Sequence, residues 1–417
     1  MKKQFFKIHR PFFSALWLAF AALTAPAAFA QSYELVIKGA HVIDPANSLN
    51  AVMDVAVGQG KIAKVAPVIN DSASQVVVAD GLYLTPGFID PHTHVFVGPL
   101  PGLFANGVNS VSPDDFTFRS GVTTVVDAGT SGWRSFPLFK KQVIDQSKTR
   151  ILAFLNIAGG GMTGAGHEQN LADMNVDSAV AVIRQYPGII AGVKIGHYNG
   201  KEWTPFENAL KAAGLVGKPL FVECHLPEYS LEDQLSKMRP GDMITHTFEN
   251  IKERMPIVDA NGRVHPFVLE ARERGILFDL GHGGAGFWFD QAMPAVKQGF
   301  YPNSFGTDLH RFSMNSAMKD MANVMSKFMA MGLSLEQVVK IATWNAAKAI
   351  GHPELGNLKE GNPADIVLFR LRKGAFGFMD SAGSSIGGAR KLEVELTVRQ
   401  GKVVWDLNGI AARKKGF

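Results

Sequence analysis

Two patterns of apolar and polar positions divide the chain. From Tyr33 to Thr85 short β-like runs (ELVIKGAHVID, DVAVGQGKIAKVAP, QVVVADGLYLTP) are punctuated by Gly, Pro and Asn, and residues 364–406 repeat that texture in ADIVLFRL and LEVELTVRQGKVVWD. The middle alternates differently. Eight short, nearly continuous apolar runs lie at 87–95, 121–129, 150–159, 188–196, 219–225, 243–248, 276–282 and 304–310, each followed by a polar or Gly-rich loop and, in most cases, a helical pattern. Continuous apolar character suits strands buried on both faces. Eight βα units over about 250 residues predict an α/β fold, a (β/α)₈ TIM barrel. The β-rich flanks predict a small discontinuous β-sandwich, with parts at 31–86 and 353–417 around a barrel at 87–352.

Two helices are read closely. At 334–351, Ser334 and Gln337 form a capping box, Leu335, Val338, Val339, Ala342, Ala346 and Ile350 mark one face, and Gly351 ends the run. A Met-rich helix is expected at 314–332, its methionines filling core gaps. The stretch GGGMTGAG at 159–166 lacks the Gly-Lys-Ser/Thr ending of a phosphate loop and reads as a tight turn beyond the third strand.

Composition first suggests, then removes, an anionic partner. The formal charge is +5, but residues 1–30 carry Lys2, Lys3, Lys7 and Arg10 and no acid, leaving 38 basic and 37 acidic residues after them. Neither nucleic-acid binding nor a membrane-surface role then has an electrostatic motive. Those 30 residues read as a cleaved signal peptide: a basic start, an apolar stretch from Phe12 to Leu23, and Ala28-Phe29-Ala30 before Gln31. The expected location is periplasmic or secreted, with no stable membrane insertion after removal of the leader. The single Cys224 excludes an intramolecular disulfide and a Cys-cluster metal site.

The chemistry gathers where the buried runs end. His92 and His94 close the first run two residues apart, so both imidazoles share a strand face. Lys194 lies near the end of the fourth run, His225 ends the fifth, His246 lies in the sixth, and Asp308 ends the eighth. Barrel enzymes place catalysis at this face. Burying four His and an Asp together is costly unless they pair or bind metal. Imidazole and carboxylate donors suit Zn²⁺, with Mn²⁺, Fe²⁺ or Co²⁺ as other fits.

GFIDPHTH, GVTTVVDAG, His225, His246, GTDLH and the tail ELGNLKEGNPADIVLF together resemble the amidohydrolase superfamily, over residues 33 to about 406. That resemblance implies two divalent metal ions, most readily zinc. His92, His94 and Asp308 hold the more buried ion, and His225 and His246 the second. Lys194, carboxylated by CO₂, bridges them. It also implies a mechanism in which a bridging hydroxide attacks a polarised carbonyl and Asp308, the catalytic residue, moves the proton.

GVKIGHY, DLGHGGAGFWFDQAMPAV and YPNSFGTDLH are similar to the deacetylase branch related to dihydroorotases. The expected reaction is hydrolysis of an N-acyl amide or an ester of a small molecule. Dihydroorotases usually follow the His pair with a carboxylate-gripping Arg; Phe96 stands there, so dihydroorotase activity itself is not expected. The alternatives are a cyclic amidase or imidase, a mononuclear deaminase, or a catalytically inactive metal-binding relative. A solute-binding protein, two-lobed and hinged, would not need this set of ligands. His282, His197 and His310 are substrate-binding candidates, His167 sits in the loop after the third strand, and Phe287, Trp288 and Phe289 offer an apolar wall. Glu223 shares a strand face with His225 and is read as paired deeper in the barrel. Oligomeric state is left open, a homo-oligomer included.

Overall fold

The computed structural model describes residues 33–97, 109–162, 167–223, 228–252 and 254–412, with Met1 and Gln4. The proposed leader, the cleavage site and His225 therefore lie outside the described residues, as does the side chain of His167.

Five strands open the chain: β1 (Tyr33–Asp44), β2 (Leu49–Gly58), β3 (Lys61–Ala66), β4 (Ala73–Val78) and β5 (Tyr83–Pro86). Seven follow in the middle: β6 (Phe88–Thr93), β7 (Val122–Gly132), β8 (Arg150–Asn156), β9 (Ile190–Gly196), β10 (Leu220–Glu223), β11 (Met243–Ile244) and β12 (Leu277–Phe278). Three close the chain: β13 (Ile366–Met379), β14 (Ser385–Arg399) and β15 (Lys402–Asp406).

The flanks share one eight-stranded sheet, in the order β15-β14-β13-β5-β1-β2-β3, because β13 pairs antiparallel with β5. Its fourth N-terminal strand lies off that path. The first half of β1 pairs with β4 and the second half with β5, so the sheet splits along β1. Apolar residues of both flanks, among them Ile37, Val55, Leu84, Ile366 and Leu396, form one core of their own.

The central seven strands are parallel and hydrogen-bonded in chain order from β6 to β12. The eighth expected strand is present as a segment rather than a regular strand. Ser304 bridges Asp279 just beyond β12, and Leu309 bridges Thr93 of β6, so residues 304–309 join the two edges and close the barrel. Strand alternation sorts the apolar side chains into two layers. Ile89, Val126, Leu152, Phe154, Ala191, Phe221 and Met243 point inward as one cluster with Ala346 and Ile350, while Val125, Ile151, Leu155, Val193 and Val222 join the surrounding helices in another. Phe154 and Phe221 stack inside at 4.7 Å, a pairing worth about 0.5–1.5 kcal/mol beyond burial.

The capping box of Ser334 and Gln337 forms, and Gly351 follows the last turn with φ 73°. Between them the helix widens into a π-turn at Ile341–Asn345. The Met-rich helix is shorter than expected: it runs Met321–Ala330, not from 314. Asp320 is its N-cap, in extended backbone, and accepts a bond from Asn323 N at 2.7 Å. The periodic methionines had hidden that stop. The hairpin of β13 and β14 reaches the barrel loop after β12: Ser381 N donates to Phe287 O at 2.8 Å, and Phe289 N donates to Asp380 Oδ2 at 2.9 Å.

Candidate metal centre

The floor of the site is Phe221, on the inward face of β10. The His92 ring meets it edge-on at 5.2 Å, and the Lys194 ammonium stands 5.0 Å above its centroid. Lys194 is wholly buried and reaches the site past Gly129, where a Cβ would come within 2.5 Å of its side chain.

Three imidazoles have one nitrogen anchored to the barrel and the other turned inward. His92 Nδ1 lies 2.9 Å from Thr245 Oγ1, which itself donates to Asp279 Oδ2 at 2.8 Å. The hydroxyl proton is thus committed to Asp279, so His92 Nδ1 is the donor and its Nε2 carries the lone pair. His94 Nδ1 lies 2.9 Å from Thr130 Oγ1, whose own N–H is held by Asp127. His246 Nδ1 donates to Gly281 O at 2.6 Å. Such outer contacts fix tautomer and ring orientation in metal sites.

Inside this ring stand two carboxylates. Asp308 Oδ1 lies 3.5 Å from His92 Nε2 and 3.2 Å from His94 Nε2. Glu223 Oε1 lies 2.9 Å from His246 Nε2, and Glu223 Oε2 accepts from Lys194 Nζ. Burial alone would raise both carboxyls. The neighbouring His92 and His94 hold Asp308 below its usual range, and Lys194, His197 and His246 hold Glu223 well below its own. Burial lowers His92; for His246 burial is outweighed by the Glu223 carboxylate, leaving that imidazole at about 9. His197, His246 and Asp308 also take left-handed backbone, at φ 55°, 56° and 50°. That conformation costs side chains of order 1–3 kcal/mol each and persists where the surroundings impose it.

These donors fit a divalent ion. Ligand atoms of His92, His246 and Asp308 lie within 4.8 Å of one another. His92 Nε2 is buried and has no hydrogen-bond partner among the described residues. A buried nitrogen left so costs about 1–3 kcal/mol unless something fills the gap, and an imidazole lone pair facing carboxylates is what a zinc-type ion uses.

The expected residues divide by placement. His92, His94, Lys194, His246 and Asp308 converge. A cavity of about 190 Å³ opens above them, with His94, His197, Glu223, Asp308 and His310 in its wall. His282 lies behind Asp308 and outside the cavity wall: it is fully buried, its Nε2 2.7 Å from Lys327 Nζ and its ring stacked on Phe287 at 4.8 Å. Phe287 and Phe289 belong to the core rather than to the cavity wall. Several contributors were missed. Glu223 was placed too deep, and Thr130, Thr245, Asp127 and Asp279 were not singled out. An Asp inside an apolar run, as in GVTTVVDAG and ILFDLGH, was the available signal. Ser110 also lines the cavity, its buried hydroxyl without a partner among the described residues.

Residues 290–404 match the model of the amidohydrolase family. A protein named deacetylase from Agrobacterium fabrum is 32% identical over 335 residues, covering 78% of this chain and 80% of the relative. Another named deacetylase, from Enterococcus faecalis, is 28% identical and covers 84% and 93%. Among solved structures, an adenine deaminase superposes with TM-score 0.82 at 26% identity, covering 90% of this chain and all of that one. A dihydroorotase does so with TM-score 0.80 at 28% identity, covering 89% and 99%. On sequence, barrel architecture and the converging His and Asp donors together, the chain belongs to the amidohydrolase superfamily of metal-dependent hydrolases.

Proposed function

We propose that this protein is a deacetylase-type hydrolase that removes a small acyl group from an N-acyl, or alternatively O-acyl, small molecule. The observation that carries the reading is the inward-facing His92 Nε2 opposite Asp308, without a hydrogen-bond partner among the described residues, its other ring nitrogen fixed by Thr245. The relatives named deacetylase support the bond class. A cavity of about 190 Å³ suits a compact substrate, since pockets for drug-sized ligands start near 300 Å³.

Two divalent ions, most readily zinc, would be held by His92, His94 and Asp308 and by His246 with His225. Bound there, the ions supply a polarised carbonyl and a water that ionises near neutral pH. Asp308, kept ionised by its imidazole neighbours, accepts the proton of the attacking water and returns it to the leaving nitrogen or oxygen. His310 Nε2, 3.7 Å from Asp308 Oδ2, and the Ser110 hydroxyl offer hydrogen bonds to substrate in the cavity wall. On the resemblance alone the shared anion between the ions is a carbamate on Lys194; the carboxylate of Glu223 stands against the same nitrogen.

The deciding experiment is turnover of the zinc-loaded protein on N-acyl amino acids, small acyl esters, cyclic imides and adenine. Release of acetate or another short acid supports the reading. Ring opening or ammonia release in its place sinks it. The likeness to an adenine deaminase structure supports a second reading, one-metal deamination. It requires close to one ion per chain, against two here. Residues 1–30 are proposed as a leader for export to the periplasm or medium, with Gln31 as the mature start; among the described residues no helix is long and apolar enough to cross a membrane.

A further inference from the structure

We propose that Lys327 is a positioning residue for the reaction: through His282 and Gly283 it holds the Asp308 carboxylate where the proton must be taken. The inference rests on the reading of Asp308 as proton carrier. Lys327 projects from the Met-rich helix and is wholly buried. Among the described residues no carboxylate pairs with it; its hydrogen bonds go to His282 and to Ala317 O. Burial pushes its amine down to about 7, with Asp380 opposing. A buried ammonium without a paired carboxylate is costly, and an apolar side chain of similar volume would cost the fold less.

Both hydrogen bonds lead to Asp308. Nζ donates to His282 Nε2 at 2.7 Å and to Ala317 O at 2.6 Å, with the Phe287 ring centroid 5.5 Å away. An ammonium offers no acceptor. His282 Nε2 therefore carries the lone pair, and Nδ1–H donates to Gly283 O at 3.1 Å. Backbone completes the link: His282 N donates to Gly306 O and Gly283 N to Thr307 O, both at 3.0 Å. At Gly283 the space of a side chain is taken by Asp308 Oδ2. The bond to Ala317 O secures the segment beyond Asp308, whose own carbonyl accepts from Ser313 Oγ at 2.7 Å. One nitrogen thus braces Asp308 from behind and from the chain that follows it. Asp308 needs such bracing, because its φ of 50° persists only where the surroundings impose it. The brace is anchored outside the barrel: Ser326 Oγ, next to Lys327 in the helix, accepts from Leu392 N of β14 at 2.9 Å.

The test uses the full zinc-loaded chain labelled with ¹⁵N-histidine, His282 being assigned by the signal lost in His282→Leu. At pH 6 the wild type should show a neutral His282 with its proton on Nδ1 and a hydrogen-bonded lone pair on Nε2. In Lys327→Met the Nε2 signal should move toward that of an unbonded nitrogen. Turnover is read on whichever acyl substrate the wild type hydrolyses. Lys327→Met and His282→Leu should each lower kcat about 10²-fold, the cost of a misplacement near 1 Å, with KM and zinc content little changed. The double variant should be no slower than either alone, because both break one chain of contacts. Should Lys327→Met fold poorly, Lys327→Gln, which keeps a donor on a shorter stem, takes its place with the same direction in both readouts. Losses that multiply in the double variant overturn the proposal, as does wild-type kcat in folded, zinc-loaded Lys327→Met. So does a His282 Nε2 that is protonated or indifferent to Lys327. If the wild type hydrolyses no acyl substrate, the deacetylase reading fails, and the ¹⁵N spectra alone decide the brace.

Discussion

The Asp308 carboxylate faces His92 Nε2 across 3.5 Å, a nitrogen with no hydrogen-bond partner among the described residues. One oxygen near two imidazoles can hold an ion; an ionised carboxylate can also take a proton. Asn keeps the shape and one acceptor but cannot become a neutral acid. Asp308→Asn should therefore retain much of its zinc yet lose turnover by roughly 10²–10⁴-fold. The acidic limb of the rate–pH profile reports the water and Asp308 as one coupled unit. Near wild-type turnover in this variant, on a verified substrate, removes Asp308 as proton carrier.

Thr245 touches no substrate, yet it fixes which nitrogen of His92 turns inward. Thr245→Val keeps the volume and removes the hydroxyl. Zinc affinity should fall about 10–100-fold, the usual cost of losing a contact behind a metal ligand. Competition against a chromogenic chelator measures it. Unaltered affinity would mean that packing alone holds the ring.

Gly283 stands directly behind Asp308. A Cβ there would come 2.1 Å from Asp308 Oδ2, and the backbone has φ 47°. Gly283→Ala should displace the carboxylate while leaving the fold in place. A misplacement near 1 Å is worth about 10²-fold in rate, so turnover should fall by that order with the far-ultraviolet circular dichroism unchanged. A normal rate would show that the carboxylate is free to shift.

Much of this was legible in the chain, for identifiable reasons. Barrel strands are buried on both faces, so their apolar runs stood out even where the regular strand is two residues long, as at Met243–Ile244. His92 and His94 announced themselves by spacing. Glu223 did not, because alternation put it on the inward face without saying how near the mouth that residue lies. Thr245 and Thr130 are ordinary strand residues until a ring nitrogen is seen beside each. The start of the helix at Met321 was missed because apolar periodicity continues upstream through Met314 and Met318, while the cap is set by one side-chain bond from Asp320.

Lys327 supplies a pH test away from the metal ligands. Burial lowers its amine from 10.5 to about 7, although Asp380 opposes the shift. The unfolded chain therefore binds more protons between pH 7 and about 10.5, and stability rises with pH across that window. Below pH 7 the full burden of a buried ammonium is present. Lys327→Met removes it, so the variant's unfolding midpoint relative to wild type should be most favourable at pH 6 and decline steadily toward pH 10. The variant also loses the contact with His282, whose protonation Lys327 opposes, so the slope is read above pH 7. A difference independent of pH refutes the assignment.

The pairing of β5 with β13, and the reach of the β13–β14 hairpin to Phe287, set an order of events for a chain made from its N-terminus. The free edge of β5 waits, unpaired, until residues 366–369 have emerged. The loop carrying Gly283, held to the barrel by Gly306, Thr307 and Phe248, gains further tethers only when Asp380 and Ser381 arrive. The mouth of the barrel is thus finished last, by residues that touch no ligand. A chain released before residue 366 would carry every residue of the proposed metal set and still have an open edge ready to join a neighbour's. Quality control by proteases would then meet incomplete copies as exposed strands, before any of them had become a hydrolase.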